Sequence, residues 1–151
     1  MKQKNAPTTI EIEHWEAFIN TFVPHERRER WSTKVRMGYG HWGDLPMADF
    51  VAYGAGKLNV TIEDVAGKEL SGRFSEFKIA PSHLCLVLNT GRGGSAGSKA
   101  LSLAEALSEE HWMLEGLISI VPGKLALLLD HEGSLLLCVA SVAKSANKHS
   151  S

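Results

Sequence analysis

The residues best suited to chemistry lie in the run Thr90-Gly91-Arg92-Gly93-Gly94-Ser95-Ala96-Gly97-Ser98-Lys99. This run follows the apolar segment LCLVL at 84–88 and precedes a helical pattern, a junction where backbone amides can cradle a phosphate. Gly91, Gly93, Gly94 and Gly97 would let the backbone approach a ligand, and Arg92 and Lys99 would supply positive charge. The phosphate-binding pattern G-x-x-x-x-G-K-[ST] places lysine and hydroxyl side by side, because both must reach the phosphates and the metal together. Here Ser98 separates Gly97 from Lys99, and Ala100 stands at the hydroxyl position. The dinucleotide form G-x-G-x-x-G is met at Gly91 and Gly93, with Ala96 in the last place. A glycine- and serine-rich surface loop accounts for the same residues.

Other reactive side chains are scattered. The seven histidines show no H-E-x-x-H or H-x-H spacing, and apart from His83, two residues before Cys85, no histidine, cysteine or carboxylate lies within four residues of either cysteine. No metal site and no cofactor is expected from such a pattern. No serine lies in G-x-S-x-G; the nearest run, Gly93-Gly94-Ser95-Ala96-Gly97, misses one residue. Cys85 and Cys138 both sit inside apolar runs, which predicts buried, inert thiols of a cytoplasmic protein. Asp130 and Glu132 flank His131 in a turn and read as solvated residues.

Large aromatic and basic side chains offer contact chemistry instead. Three histidines precede tryptophan (His14-Trp15, His41-Trp42, His111-Trp112), but their flanks differ, so they form no repeat. Trp15 reads as core. Trp42, in a glycine-rich loop, and Trp112, on the polar side of its helix, read as available anchors for a partner. Arg27, Arg28 and Arg30, with Lys34 and Arg36, make a basic patch beside Trp31. Glu26 and Glu29 dilute it, so a docking face for a protein fits better than a nucleic-acid surface.

The elements that must position these residues follow from periodicity. Thr8 and Glu11 have capping-box spacing, and Trp15, Phe18, Ile19 and Phe22 form one apolar stripe, which predicts a helix over 9–22. Pro24 ends it and opens a second helix over 25–35. MGYGHWGDLP reads as loop from its glycines, and Asp44 as the cap of a short helix beginning near Pro46. Leu58, Val60 and Ile62 alternate with polar residues in a strand over 57–63. A second strand is predicted over 70–79, with a bulge near Ser75, and a third over 83–89. Ser102 and Glu105 cap a helix over 103–115, which Gly116 would close. Strands at 117–121, 124–130 and 134–142 follow, joined by Pro122-Gly123 and His131-Glu132-Gly133. Runs such as LALLL do not alternate, so these strands need cover on both faces, from the chain's helices or from a partner subunit.

At 151 residues, 44% hydrophobic and 22% charged, the chain reads as one α+β domain over 9–143 with flexible tails at 1–8 and 144–151. N-terminal helices would pack on a mainly antiparallel sheet of about five to six strands with one inserted helix. The net charge of −1 creates no field toward nucleic acid or an anionic membrane. No apolar run approaches the roughly 20 residues of a membrane span, and no secretory signal is expected at the start. The stretch LSEEHWMLEGLISIVPGKLALLLDHEGSLLLCV looks like the second half of small secretion chaperones in its helix–strand–strand order. Those proteins end in a further helix, for which this chain has no counterpart. The function expected from the residues is non-catalytic binding of another protein, of inhibitor, immunity or secretion-chaperone type, or self-association as a homodimer. The alternative is a phosphate- or nucleotide-binding protein using the glycine-rich loop 91–99.

Overall fold

The computed structural model describes residues 6–46, 60–65, 69–91, 96–108, 115–129 and 135–140. Helix α1 (Thr9–Phe22) starts at the capping box read from the sequence: Glu11 N donates to Thr8 Oγ1 (3.2 Å) and Thr8 N to Glu11 Oε1 (2.8 Å). Its stripe of Trp15, Phe18, Ile19 and Phe22 is buried. Pro24 leads into a 3-10 turn, His25–Arg27, and then α2 (Arg28–Met37), which buries Trp31 and Val35. Gly38 ends α2 at a φ of 114°, a value that favours glycine. The glycine-rich segment that follows is not a loop throughout: α3 (Tyr39–Trp42) forms one short helix. Its cause is Trp42, which is drawn into the core. The indole Nε1 donates to Val35 O (3.1 Å), and the ring meets Trp15 (5.5 Å) and Tyr39 (4.8 Å) edge-on.

Six strands make one antiparallel sheet in the order β1-β6-β5-β4-β2-β3. They are β1 (Val60–Asp64), β2 (Leu84–Asn89), β3 (Gly97–Ser102), β4 (Gly116–Val121), β5 (Leu125–Leu129) and β6 (Leu135–Ala140). Helix α4 (Leu70–Glu76) lies between β1 and β2, and α5 (Leu103–Ala106) between β3 and β4. The architecture is α+β, with helices at the N-terminus and two short helices inserted between strands of the sheet.

The apolar strands have cover on both faces, and the chain supplies it. Leu128 and Ala126 of β5, with Leu117, Leu136 and Cys138, pack with the α1–α3 aromatics. The alternate residues Leu125, Leu127 and Leu129, with Ile118, Leu135 and Leu137, pack with Leu70 and Phe74 of α4 and Leu103 and Ala106 of α5. A partner subunit is not needed for either layer.

Three local readings are corrected. Residues 70–76 are helix rather than strand: Leu70, Phe74 and Phe77 follow i, i+4, i+7, and the apparent phase slip near Ser75 is helical spacing. The helix closes through Ile79 N, which donates to Phe74 O (3.1 Å), with Lys78 at a φ of 62°. Residues 97–102 are strand rather than loop. Finally, Gly116, expected as the residue that follows a helix, is the first residue of β4. A Cβ there would stand 2.3 Å from Leu88 O, so β2 and β4 approach too closely for any side chain. The α5 capping box is present, yet α5 ends at Ala106; residues 109–114 lie outside the described residues.

The Pro122-Gly123 hairpin forms as expected, with Lys124 N donating to Val121 O (2.8 Å). The expected helix after Asp44 and the turn Asp130–Gly133 fall outside the described residues. Cys85 and Cys138 are buried, free thiols. They belong to opposite faces of the sheet, which removes a disulfide between them.

Candidate functional site

Two glycine-bearing segments, about fifty residues apart in sequence, meet on the α1–α3 side of the sheet. The first is α3 and its exit, Tyr39 to Asp44. The second is the facing ends of β2 and β3, at Thr90, Gly91 and Ala96. Between them lies a cleft of about 450 Å³ lined by Tyr39, Gly40, Gly43, Asp44, Thr90, Gly91 and Ala96. Small residues are what make it a cleft. A Cβ on Gly43 would stand 3.6 Å from Thr90 O, whereas one on Gly40 would meet nothing within 4 Å. Gly91 has a φ of 101° and faces Ala96 across the base of the hairpin.

Each wall is backed by a buried carboxyl. Behind Tyr39 lies Glu11, whose Oε1 accepts from Thr8 N and from the Tyr39 hydroxyl (2.5 Å), while Oε2 accepts from the Ser98 hydroxyl of β3. Burial pushes the Glu11 carboxyl up, but the donors Ser98, Tyr39 and Thr8 outweigh it and hold it below the usual value. Glu11 is therefore a buried carboxylate with its charge spread over three donors. Burial, with Glu11 as hydrogen-bond and charge neighbour, lifts the Tyr39 phenol to about 12. Behind Thr90 lies Glu115: the Thr90 hydroxyl donates to Glu115 Oε1 (2.7 Å), and Thr90 N to Glu115 O (3.0 Å). That bond ties the end of β2 to the start of β4.

The structure divides the sequence-derived phosphate set. Gly91 lines the cleft, Gly97 begins β3, and Arg92, Gly93 and Gly94 lie outside the described residues. Lys99 is paired with Val87 and Ser98 with Leu88. Cross-strand partners share a face. Val87 packs with α4 and α5, Leu88 with α1–α3. Lys99 therefore projects from the face opposite the cleft, and Ser98 toward Glu11. The run also leads into a strand, so no helix N-terminus follows the glycines.

The partner set changes as well. Trp42 and Trp31 are fully buried in the aromatic core, so neither is an exposed anchor; Trp112 lies outside the described residues. Arg28 Nε donates back to Val23 O (3.0 Å), and Arg36 pairs with Glu16 (3.0 Å). Arg30 and Lys34 flank a surface hollow that also holds Glu26 and Glu29, the mixed charge read from the sequence. Arg27 is half-buried at the end of the 3-10 turn.

One polar pair has no counterpart in the sequence reading. His14 Nδ1 and Ser119 Oγ are 2.7 Å apart, joining α1 to β4. Burial lowers the His14 imidazole below its usual value, against the opposing charge of Glu13. Ser119 is itself buried, so the pair is no exposed nucleophile and base. Its one sequence signal is the lone hydroxyl inside the apolar run GLISIV. Burial also pushes both thiols up, Cys85 to about 11 and Cys138 further, away from nucleophilic character. An apolar hollow of about 270 Å³ between α4 and α5 has only Ser75 as a polar lining side chain. Among the described residues no group of three or more His, Cys, Asp or Glu is placed to hold a metal ion, and no helix is long and apolar enough to cross a membrane. No family model, curated protein or solved structure matches the chain.

Proposed function

We propose that this chain is a non-catalytic protein-binding protein of the inhibitor, immunity or chaperone type, and that the cleft between α3 and the β2–β3 hairpin is its contact site. The observation that carries this reading is the convergence of Tyr39, Gly40, Gly43, Thr90 and Gly91 around one solvent-facing cleft. Small-molecule pockets are mostly apolar and enclose their ligand. This cleft is bounded by glycines and by two hydroxyls braced on buried carboxyls, which suits a protruding polar group of a protein surface. Among the described lining residues the charged side chain is Asp44, which favours a neutral or cationic group of the partner over a phosphate. Two buried free thiols support a cytoplasmic setting.

Gly40 provides the test. A Cβ added there meets nothing within 4 Å, so Gly40→Trp projects a bulky side chain into the cleft from a backbone position that accepts one. The variant should melt at or slightly above the parent, since glycine inside a helix costs about 0.5–1 kcal/mol relative to alanine. Native mass spectrometry of the chain purified under mild conditions should show a complex with a second polypeptide that Gly40→Trp abolishes and Lys99→Glu, on the other sheet face, retains. A complex indifferent to Gly40→Trp, or a small-molecule adduct in its place, would overturn the reading.

A further inference from the structure

Helix α1 is attached to the sheet by two titratable side chains three residues apart, and therefore on one face of the helix. Glu11 accepts from Ser98 of β3, the outermost strand, and His14 pairs with Ser119 of β4. β2 runs between these strands: Ser119 is in register with Leu86, and Leu86 with Ala100. The two bonds thus reach across three strands, at the end of α1 that precedes its aromatic stripe.

We propose that the first two turns of α1, together with the Thr8 cap, form an acid-released strap, held on the sheet at neutral pH through Glu11–Ser98 and His14–Ser119 and freed in two stages as protons are added. Charged and titratable groups around both anchors are few among the described residues. Glu11 meets Tyr39 from α3, the Ser98 hydroxyl from β3 and its own cap Thr8. Tyr39 stays a protonated donor to about 12. His14 meets Glu13 on its own helix and the neutral Ser119 from β4.

Both anchors act in the same direction. The folded His14 imidazole lies below its ordinary 6.5 because burial disfavours the imidazolium. Its contribution is complete above about 6.5 and is lost as pH falls through the lower folded value. Protonated His14 gains by turning out to water, which leaves the Ser119 hydroxyl without its imidazole partner. The Glu11 carboxyl is also lowered, from an ordinary 4.5, so its contribution is complete above about 4.5 and lost as pH falls through its own folded value. A protonated Glu11 carries a donor into a site built of three donors. His14 thus releases first and Glu11 second. Tyr39 loses its acceptor in the second stage, so the cleft wall loosens with the strap. Release needs no occupant in the cleft, and its readout is independent of partner binding.

Amide hydrogen exchange on the whole chain tests this, with protection factors corrected for intrinsic pH dependence. Between about pH 7.5 and about pH 5, protection across residues 10–16 should fall several-fold relative to β5. A constant ratio between α1 and β5 overturns the proposal. In His14→Gln the ratio should stay flat over that interval; a fall equal to the parent's overturns it. Should that variant not fold, the His14 imidazole can be titrated by NMR in the parent. A midpoint below 6.5 supports the strap, and one at or above it overturns it.

Discussion

Glu11 begins as half of a capping box and ends as the residue that joins three elements. Its sequence spacing from Thr8 announces the cap, and a cap glutamate is normally exposed. Here the side chain is only 4% exposed, because Tyr39 and Ser98 arrive from α3 and β3 to donate to it. Neither partner could be assigned from the sequence, since Tyr39 sat in an expected loop and Ser98 in another. Glu11→Gln keeps the size of the side chain and loses the charge. The amide then offers one acceptor where three donors converge, and its NH2 faces a hydroxyl. Leaving a buried donor unpaired costs about 1–3 kcal/mol, so we expect Glu11→Gln to lower stability at pH 7 by roughly 2 kcal/mol. Because the folded Glu11 value is depressed, part of the parent's stability is lost on acidification below the ordinary carboxylate range. The variant should lack that part. Denaturant melts at pH 7 and pH 3 would show the two proteins converging at the lower pH. A difference that persists undiminished at pH 3 would show that Glu11 is not ionised in the fold.

At the scale of elements, the legible ones were those whose burial is one-sided and periodic or complete. The α1 stripe, both capping boxes and strands β4, β5 and β6 follow directly from apolar spacing. The unreadable elements are those whose pattern is ambiguous in period. Leu70 and Phe74 are four apart, an even number, so they suit a strand face and a helix face alike. Only Phe77, seven from Leu70, separates the two. β3 escapes for another reason. It is an edge strand carrying Ser98, Lys99 and Ala100 exposed, so burial imposes no apolar alternation on it, and charged edges are how sheets avoid further pairing. The six-strand count was therefore reached with one strand too many at 70–79 and one missing at 97–102. Helix α4 makes a sharp prediction through Gly72, which is exposed and whose added Cβ would meet nothing within 4 Å. Inside a helix, Gly72→Ala should raise stability by about 0.5–1 kcal/mol. In a strand, alanine is a poor residue and no such gain is expected. A thermal melt decides between them: a Tm unchanged or lowered would sink the helical assignment.

At the scale of the whole molecule, the sheet is a buried partition between two unequal helical layers. On one side stand α1, α2 and α3 with Trp15, Trp31, Trp42, Phe18 and Phe22. On the other stand the short helices α4 and α5, anchored by Leu70, Phe74 and Leu103. The apolar strands announced two-sided cover, but not that one chain supplies both layers. The glycine-rich stretches announced backbone freedom, but not that residues 39–44 meet Thr90, Gly91 and Ala96 in one cleft. Such convergence depends on strand order, which local pattern does not encode. The two cysteines are natural reporters of the partition, because one lies under each layer. Cys138 is inaccessible beneath α1–α3 and Cys85 nearly so beneath α4 and α5. A thiol reagent reaches either only when its layer opens, and open states range from local to global. Among the described residues, the α4–α5 layer has less aromatic surface to separate from the sheet. We therefore expect Cys85 to label under native conditions at a rate set by local opening, and Cys138 only with global unfolding. In Phe74→Ala, which removes the main aromatic anchor of the thin layer, Cys85 labelling should accelerate more than Cys138 labelling. If α4 and α5 instead open only with the whole sheet, both thiols will label together in parent and variant, and the two layers form a single cooperative unit.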